Sequence, residues 1–260
     1  MACVTLQGTS GCIRAGSDAY LQQPHCVPGQ RGKMTKSAVI FDLDGTLVDT
    51  APDLWGATNH VLKAHGRREV SLDDVYEMVG MGAKKLIERG FERTGEPARA
   101  DMVDIMFRQF IDHYSTNITA QSKPYPGVLA LLDELKARGI GLAVCTNKLE
   151  RLSVKLINGL DMDHYFSAII GPDTTGVAKP DPRPLDAAIK AAGSARSHSI
   201  MIGDSATDIR TAQAASIPVV AVSFGYTDTH VSAFDPDHVV DHFDEILPIL
   251  EARFAAHAEV

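Results

Sequence analysis

Ala38-Val39-Ile40-Phe41-Asp42-Leu43-Asp44-Gly45-Thr46-Leu47-Val48-Asp49-Thr50 opens the patterned part of the chain. Its first four residues are apolar with no polar alternation. That pattern suits a strand buried on both faces, as in a parallel sheet covered by helices. The strand stops at a carboxylate, and a second carboxylate follows two positions later. In open parallel sheets, ligands gather outside the carboxyl ends of the strands, so this is a place to look for chemistry.

The same signal returns downstream. Apolar runs span Ile140 to Cys145, Ala168 to Ile170, Ser199 to Ile202 and Pro218 to Val222, with a short sixth at His238 to Val240. Helical patterns lie between them, at Val128 to Ala137, Leu149 to Asn158, Pro184 to Ala192 and Ala206 to Ala215, and one at Asp244 to Ala255 closes the chain. Gly139, Gly159 and Gly193 supply stop signals. Strand-helix alternation with short links predicts an α/β fold, a doubly wound parallel sheet with right-handed crossovers.

One interval breaks this rhythm. Residues 51–123 carry helical patterning only, at Leu54 to Ala64, Ser71 to Val79, Ala83 to Thr94 and Ala100 to Asn117. They predict an all-helical insertion, a cap on a core formed by 34–50 and 124–260. Pro124-Tyr125-Pro126-Gly127 marks the return to the core. Residues 1–33 show no period and are rich in Gly, Gln and Ser. They are expected to be disordered or a non-native extension, with Met34 as the true start.

Composition narrows the class of partner. The 260 residues are 45% hydrophobic and 22% charged, with a formal charge of −8. No apolar run reaches the length of a membrane span. The acidic balance argues against nucleic acid or an anionic membrane. A small anionic substrate stays possible, because a local cation reverses the sign inside a pocket. Of the four cysteines, Cys3, Cys12 and Cys26 lie in the unpatterned start and Cys145 sits in an apolar strand. No zinc spacing or disulfide framework emerges, so Cys145 reads as a core residue and the setting as a reducing cytoplasm.

Polar residues collect at the strand ends: Asp42 and Asp44, then Thr146, Asn147 and Lys148, then Lys179, then Asp204 and Asp208. Four carboxylates in one crevice repel one another, and a hard dication such as Mg²⁺ removes the conflict. With Lys179, the hydroxyl of Thr146 and the backbone amides around Leu43, Gly45 and Thr46, the crevice is suited to a phosphate group. Asp42 is then the expected nucleophile, forming an aspartyl-phosphate. Asp44 is the expected general acid and base, placed on the same side by the strand repeat of two. Asn147 and Lys148 are read as substrate contacts. His60, His65, His113, His164 and His198 have no metal spacing, and Trp55 reads as packing within the cap.

The run from Asp42 to Thr50 resembles the first signature of the haloacid dehalogenase superfamily. Thr146, Lys179 and Gly203-Asp204-Ser205-Ala206-Thr207-Asp208 resemble its second, third and fourth signatures in the right order. The resemblance implies Mg²⁺ held by Asp42, the backbone carbonyl of Asp44 and Asp204, with Asp208 supporting the metal's water shell. It also places a helical cap after the first signature. Asp44 favours phosphate esters over carbon-halogen or carbon-phosphorus cleavage. Thr146-Asn147-Lys148, Ser223-Phe224-Gly225-Tyr226 and the run from Val79 to Ala83 are similar to the phosphoglycolate phosphatase group. That similarity implies hydrolysis of 2-phosphoglycolate to glycolate and phosphate.

Other readings stay open. A phosphomutase of the β-phosphoglucomutase type would use the same nucleophile, as would a pyrophosphatase or sugar phosphatase of this superfamily. A non-catalytic binding protein would not need an intact carboxylate set. The expected partner is a small phosphorylated metabolite, with the chain a monomer or homodimer. The cap is expected to move about hinges near Thr50 and Ser122-Lys123-Pro124.

Overall fold

The computed structural model describes residues 36–258 apart from positions 81 and 228. The expectation for residues 1–33 falls outside them. In chain order the strands are β1 (Ala38–Phe41), β2 (Val48–Asp49), β3 (Lys123–Pro124), β4 (Gly141–Cys145), β5 (Ile169–Ile170), β6 (Ser199–Gly203), β7 (Val219–Val222) and β8 (His238–Val240). The helices are α1 (Ala51–Ala64), α2 (Leu72–Met78), α3 (Ala83–Thr94), α4 (Val103–Thr116), α5 (Val128–Ala137), α6 (Glu150–Gly159), α7 (Pro172–Thr175), α8 (Arg183–Ala191), α9 (Ala206–Ala215) and α10 (Ile246–Ala258).

Six strands form one parallel sheet in the order β5-β4-β1-β6-β7-β8. β1 lies near the centre, with Phe41 paired to Val144 on one side and Ile202 on the other. Its lack of alternation has a direct cause. Ala38 and Ile40 pack into a cluster with Leu185, Ala188, Ile209 and Ala212, from α8 and α9. Val39 and Phe41 point the other way, into a cluster with Leu132, Leu135, Leu152 and Leu156 from α5 and α6. Both faces are covered, and burial of each such side chain contributes about 1.5–3 kcal/mol.

The insertion is helical, as its patterning predicts. α1 packs against α2, α3 and α4. Its buried residues Ala57, Val61 and Leu62 recur at helical spacing. Ser71 caps α2 with a reciprocal bond to Asp74. α4 starts at Val103, three residues later than the pattern suggests, because the Met102 amide closes a turn back to Arg99 O (2.9 Å).

Two features were not anticipated. The short helix α7 follows β5, and β2 and β3 form a two-residue antiparallel ribbon. The ribbon pairs Val48 with Pro124 and Asp49 with Lys123, so the two crossings between core and insertion are tied together. Buried Asp53 on α1 strengthens the tie. Its carboxylate accepts from the amides of Gln121 (3.0 Å) and Ser122 (2.8 Å) and from the Ser122 hydroxyl (2.7 Å). Among the described residues no helix is long and apolar enough to cross a membrane.

Candidate active site

β1 delivers Asp42 to the carboxyl edge of the sheet, where its amide donates to Ile202 O (2.9 Å). The strand ends at Phe41, so the pleat does not carry Asp44. Leu43 to Leu47 turn instead, with the amides of Leu47 and Val48 both donating to Leu43 O. Asp44 bridges to Val48. The turn, and not a repeat of two, brings both carboxylates to one cavity of about 310 Å³. Thr146, Asn147 and Lys148 line the same cavity from the end of β4, and Leu54, Phe110 and Tyr114 line it from the insertion.

Lys179 is buried beneath this edge. Its ammonium lies 2.5 Å from Asp208 Oδ1 and 2.9 Å from Asp42 Oδ1. The second approach is too poorly aligned for a hydrogen bond, which leaves buried Asp42 Oδ1 without one. Asp204, at the end of β6, is held by the Thr46 hydroxyl (2.9 Å) and the Tyr226 amide (2.7 Å). Space around Asp204 requires glycine. A Cβ at Gly225, or at Gly45 with its φ of +85°, would run into the Asp204 side chain. Asp208 is wholly buried and caps α9. Its Oδ2 accepts from the Ser205 amide (3.1 Å) and hydroxyl (2.6 Å).

Several predicted contacts have different immediate partners. The Gly45 amide donates to Val48 O (3.0 Å), so it is not spare for a ligand. The Thr46 hydroxyl is spent on Asp204 and the Leu43 side chain is buried in the core, so what these two residues leave to a ligand is their backbone amides, the groups named from the sequence. The Asn147 amide holds the backbone of Lys179, accepting from its N–H (2.8 Å) and donating to its carbonyl (3.2 Å). Lys148 pairs with Asp44 at 2.7 Å, and Asp44 also accepts from the Thr50 hydroxyl (2.6 Å). Thr146 Oγ1 accepts from the Lys148 amide (3.1 Å), leaving its own hydrogen available.

Four carboxylates here face two ammonium groups, an excess of two negative charges when all are ionised. Burial pushes Asp42 up to about 7, Asp208 adds to the rise, and Lys179 opposes it. Asp204 is raised by burial and then by Asp208 and Asp42. Lys179 is raised, because Asp208 and Asp42 outweigh the effect of burial. Asp42, Asp204 and Asp208 can each offer an oxygen within 4.8 Å of the others. A buried Asp42 oxygen that accepts no aligned hydrogen bond and two carboxylates whose ionised forms are disfavoured by burial and by their neighbours fit a hard divalent cation, which takes oxygen ligands. Each oxygen of Asp204 accepts one hydrogen bond, from Thr46 or Tyr226, and keeps a lone pair for a ligand, whereas Asp208 Oδ2 accepts two from Ser205 and its Oδ1 is paired with Lys179.

Comparison with known proteins gives the family. Residues 39–222 match the model of the haloacid dehalogenase-like hydrolases. The chain belongs to that family. It is 44% identical over 220 residues to a phosphoglycolate phosphatase of Mesorhizobium japonicum, covering 85% of this chain and 97% of the relative. It is 45% identical over 212 residues to one of Agrobacterium fabrum, covering 81% and 91%. A crystal structure from Haemophilus somnus, titled a predicted phosphoglycolate phosphatase, superposes with a TM-score of 0.77 at 32% identity. It covers 84% of this chain and 99% of its own.

Within this haloacid dehalogenase-like site, two tyrosines escaped sequence reasoning as functional residues. Besides holding Asp204 by its amide, Tyr226 accepts at its hydroxyl from the amides of Thr50 (2.6 Å) and Ala51 (2.9 Å). It donates to Asp49 (2.6 Å). Asp49 also accepts from Tyr76 of α2 (3.3 Å). Tyr226 thus joins an acidic strand end to the start of the insertion. The run Ser223-Phe224-Gly225-Tyr226 is a recognisable signal, but it does not reveal these partners. The second is Tyr114, whose ring lies over Lys148 with the ammonium 4.5 Å from its centroid.

Proposed function

We propose that this chain is a Mg²⁺-dependent phosphatase that hydrolyses a small phosphate monoester, 2-phosphoglycolate above all, through an aspartyl-phosphate on Asp42. The observation that carries the reading is the place of Asp42. It lies at the end of the central strand, in a three-carboxylate cluster, beside a buried lysine and open to a cavity of about 310 Å³.

Asp42 and Asp204, with the backbone carbonyl of Asp44, would hold the cation, and Asp208 would act from behind them by keeping Lys179 in place. When bound, Mg²⁺ neutralises phosphate oxygens and lowers the charge barrier to attack by a carboxylate. Thr146 donates its free hydroxyl hydrogen to the phosphate, and Lys179 contributes positive charge next to the nucleophile. Asp42 attacks phosphorus in line, and the bond to the ester oxygen breaks. Asp44 gives that oxygen its proton. Asp44 then takes a proton from the water that attacks phosphorus, and the acyl-phosphate bond breaks to free Asp42 and inorganic phosphate.

The names of the relatives support 2-phosphoglycolate as the substrate, and the cavity has room for it. We further propose that the enzyme acts on a free metabolite in the cytoplasm, as a monomer or homodimer, without nucleic acid or membrane as a partner. Phosphate release from 2-phosphoglycolate and p-nitrophenyl phosphate, with Mg²⁺ or with EDTA, tests the function. Turnover is expected with Mg²⁺ only, and Asp42→Asn is expected to lower kcat by about 10⁴-fold or more. Equal turnover in EDTA, or an Asp42→Asn protein as active as the wild type, contradicts the proposal.

A further inference from the structure

We propose that Tyr114 selects the substrate by donating its hydroxyl hydrogen to a carboxylate on the leaving group; this rests on the phosphatase reading and deepens it. Tyr114 comes from α4 and is 1% exposed, yet it lines the cavity that holds Asp42 and Asp44. Its hydroxyl is a buried side-chain polar atom without a hydrogen-bond partner, a status it shares with Asp42 Oδ1. Buried hydroxyls are almost always paired; here the Lys148 ammonium is close enough to act on the oxygen, but no protein group accepts the hydrogen.

The chemistry of the missing partner follows from the surroundings. The ring stacks against Phe110 with centroids 5.8 Å apart, and Leu54 and Phe107 add apolar wall. The Lys148 ammonium lies 4.5 Å from the ring centroid, and Lys84 and Lys85 line the same cavity. An ammonium group has no lone pair, so it cannot accept the phenol hydrogen. A ligand acceptor must therefore come from the cavity, and the neighbouring ammonium favours an anionic one. The phosphate is committed to the Asp42 end, so the second anion belongs to the alcohol half of the ester. Burial keeps the phenol protonated against the pull of Lys148, so it remains a donor at working pH. With apolar wall around the donor, an acid group is the polar feature that the alcohol half must bring to it.

The test compares 2-phosphoglycolate with ethyl phosphate, which has the same two-carbon frame without the carboxylate. In the full chain, Tyr114→Phe is expected to raise KM for 2-phosphoglycolate by about 10- to 100-fold. Turnover of ethyl phosphate should change by no more than about twofold. The melting temperature of Tyr114→Phe should equal or exceed that of the wild type, because the change removes an unpaired hydroxyl and keeps the ring. Equal losses on both esters would assign Tyr114 a structural or Lys148-placing role and overturn the inference. So would no loss on either, provided the wild type hydrolyses both. No turnover of either ester by the wild type would overturn the phosphatase reading and this one with it.

Discussion

The two walls of the cavity are built on opposite principles. On the sheet side almost every polar group is bound to another: Asp208 to Lys179 and Ser205, Asp204 to Thr46 and Tyr226, Asn147 to the Lys179 backbone. On the insertion side Leu54, Phe107, Phe110 and Ile111 offer no polar group, Lys84 and Lys85 are paired with Asp104 and Glu88, and the Tyr114 hydroxyl hydrogen has no acceptor. The first wall is set before any ligand arrives, as electrostatic preorganisation requires. The second leaves a buried polar contact open at Tyr114, which is how a surface chooses among ligands. Chemistry and selection are thereby divided between two parts of the chain, and substitutions on the two walls should separate them.

The largest departure is expected from Lys179→Met. It leaves Asp42 and Asp208 buried beside each other without their cation, which costs about 3–5 kcal/mol by the usual loss of one partner of a buried pair. Chemical denaturation should register that loss, and activity should fall with it. A Lys179→Met protein as stable as the wild type would mean that the sheet-side wall is not a coupled network.

The carboxylates should also answer to pH. Without cation, the folded state keeps a proton on Asp42 up to about 7, whereas an ordinary aspartate releases it near 3.8. The folded state then binds more protons than the unfolded one across that window. Stability contributed by this site is therefore present at low pH and falls as pH rises from about 4 to about 7. Asp204 is displaced in the same direction. Melting temperature followed against pH in EDTA should show the decline, and saturating Mg²⁺ should flatten it. Identical slopes with and without Mg²⁺ would separate these carboxylates from any cation.

Much of this was legible in advance. Strand and helix runs are local patterns, so β1, α3, α5, α9 and β8 begin and end where apolar spacing and stop residues put them. The strand-end rule also pointed to Asp42, Asp204 and Lys179. Long-range pairings were not legible. Tyr226 meets Thr50 across 176 positions, and nothing near either residue announces the contact. The β2–β3 ribbon pairs only two residues on each side, too few to show a period. Asn147 looked like a ligand contact because an amide at a strand end can bind either phosphate or backbone, and only the fold shows Lys179 beside it.

Tyr226→Phe should have a smaller effect than loss of Lys179. It keeps the amide that holds Asp204 but leaves the Thr50 and Ala51 amides without their acceptor. A cost of about 1–3 kcal/mol is expected from unpaired buried donors. Faster hydrogen exchange at those two amides should accompany it, and unchanged exchange would show that the phenol does not hold the crossing. The smallest effect belongs to Trp55→Phe, whose side chain lines neither wall. Its indole donates to Val70 O (2.8 Å) inside the insertion. Its loss should cost about 1 kcal/mol in denaturant unfolding and leave kcat and KM for both test esters unchanged. An altered kcat would mean that chemistry is not confined to the sheet side.

The central claim concerns Asp42 and can be read directly from the covalent intermediate. Enzyme turning over 2-phosphoglycolate with Mg²⁺ is quenched in acid and reduced with borohydride, which converts an aspartyl-phosphate to homoserine. Peptide mass spectrometry then locates the change. Homoserine at position 42, dependent on both substrate and Mg²⁺, is the predicted result. Homoserine at another aspartate, or none while turnover proceeds and a control acyl-phosphate is reduced, would contradict the account.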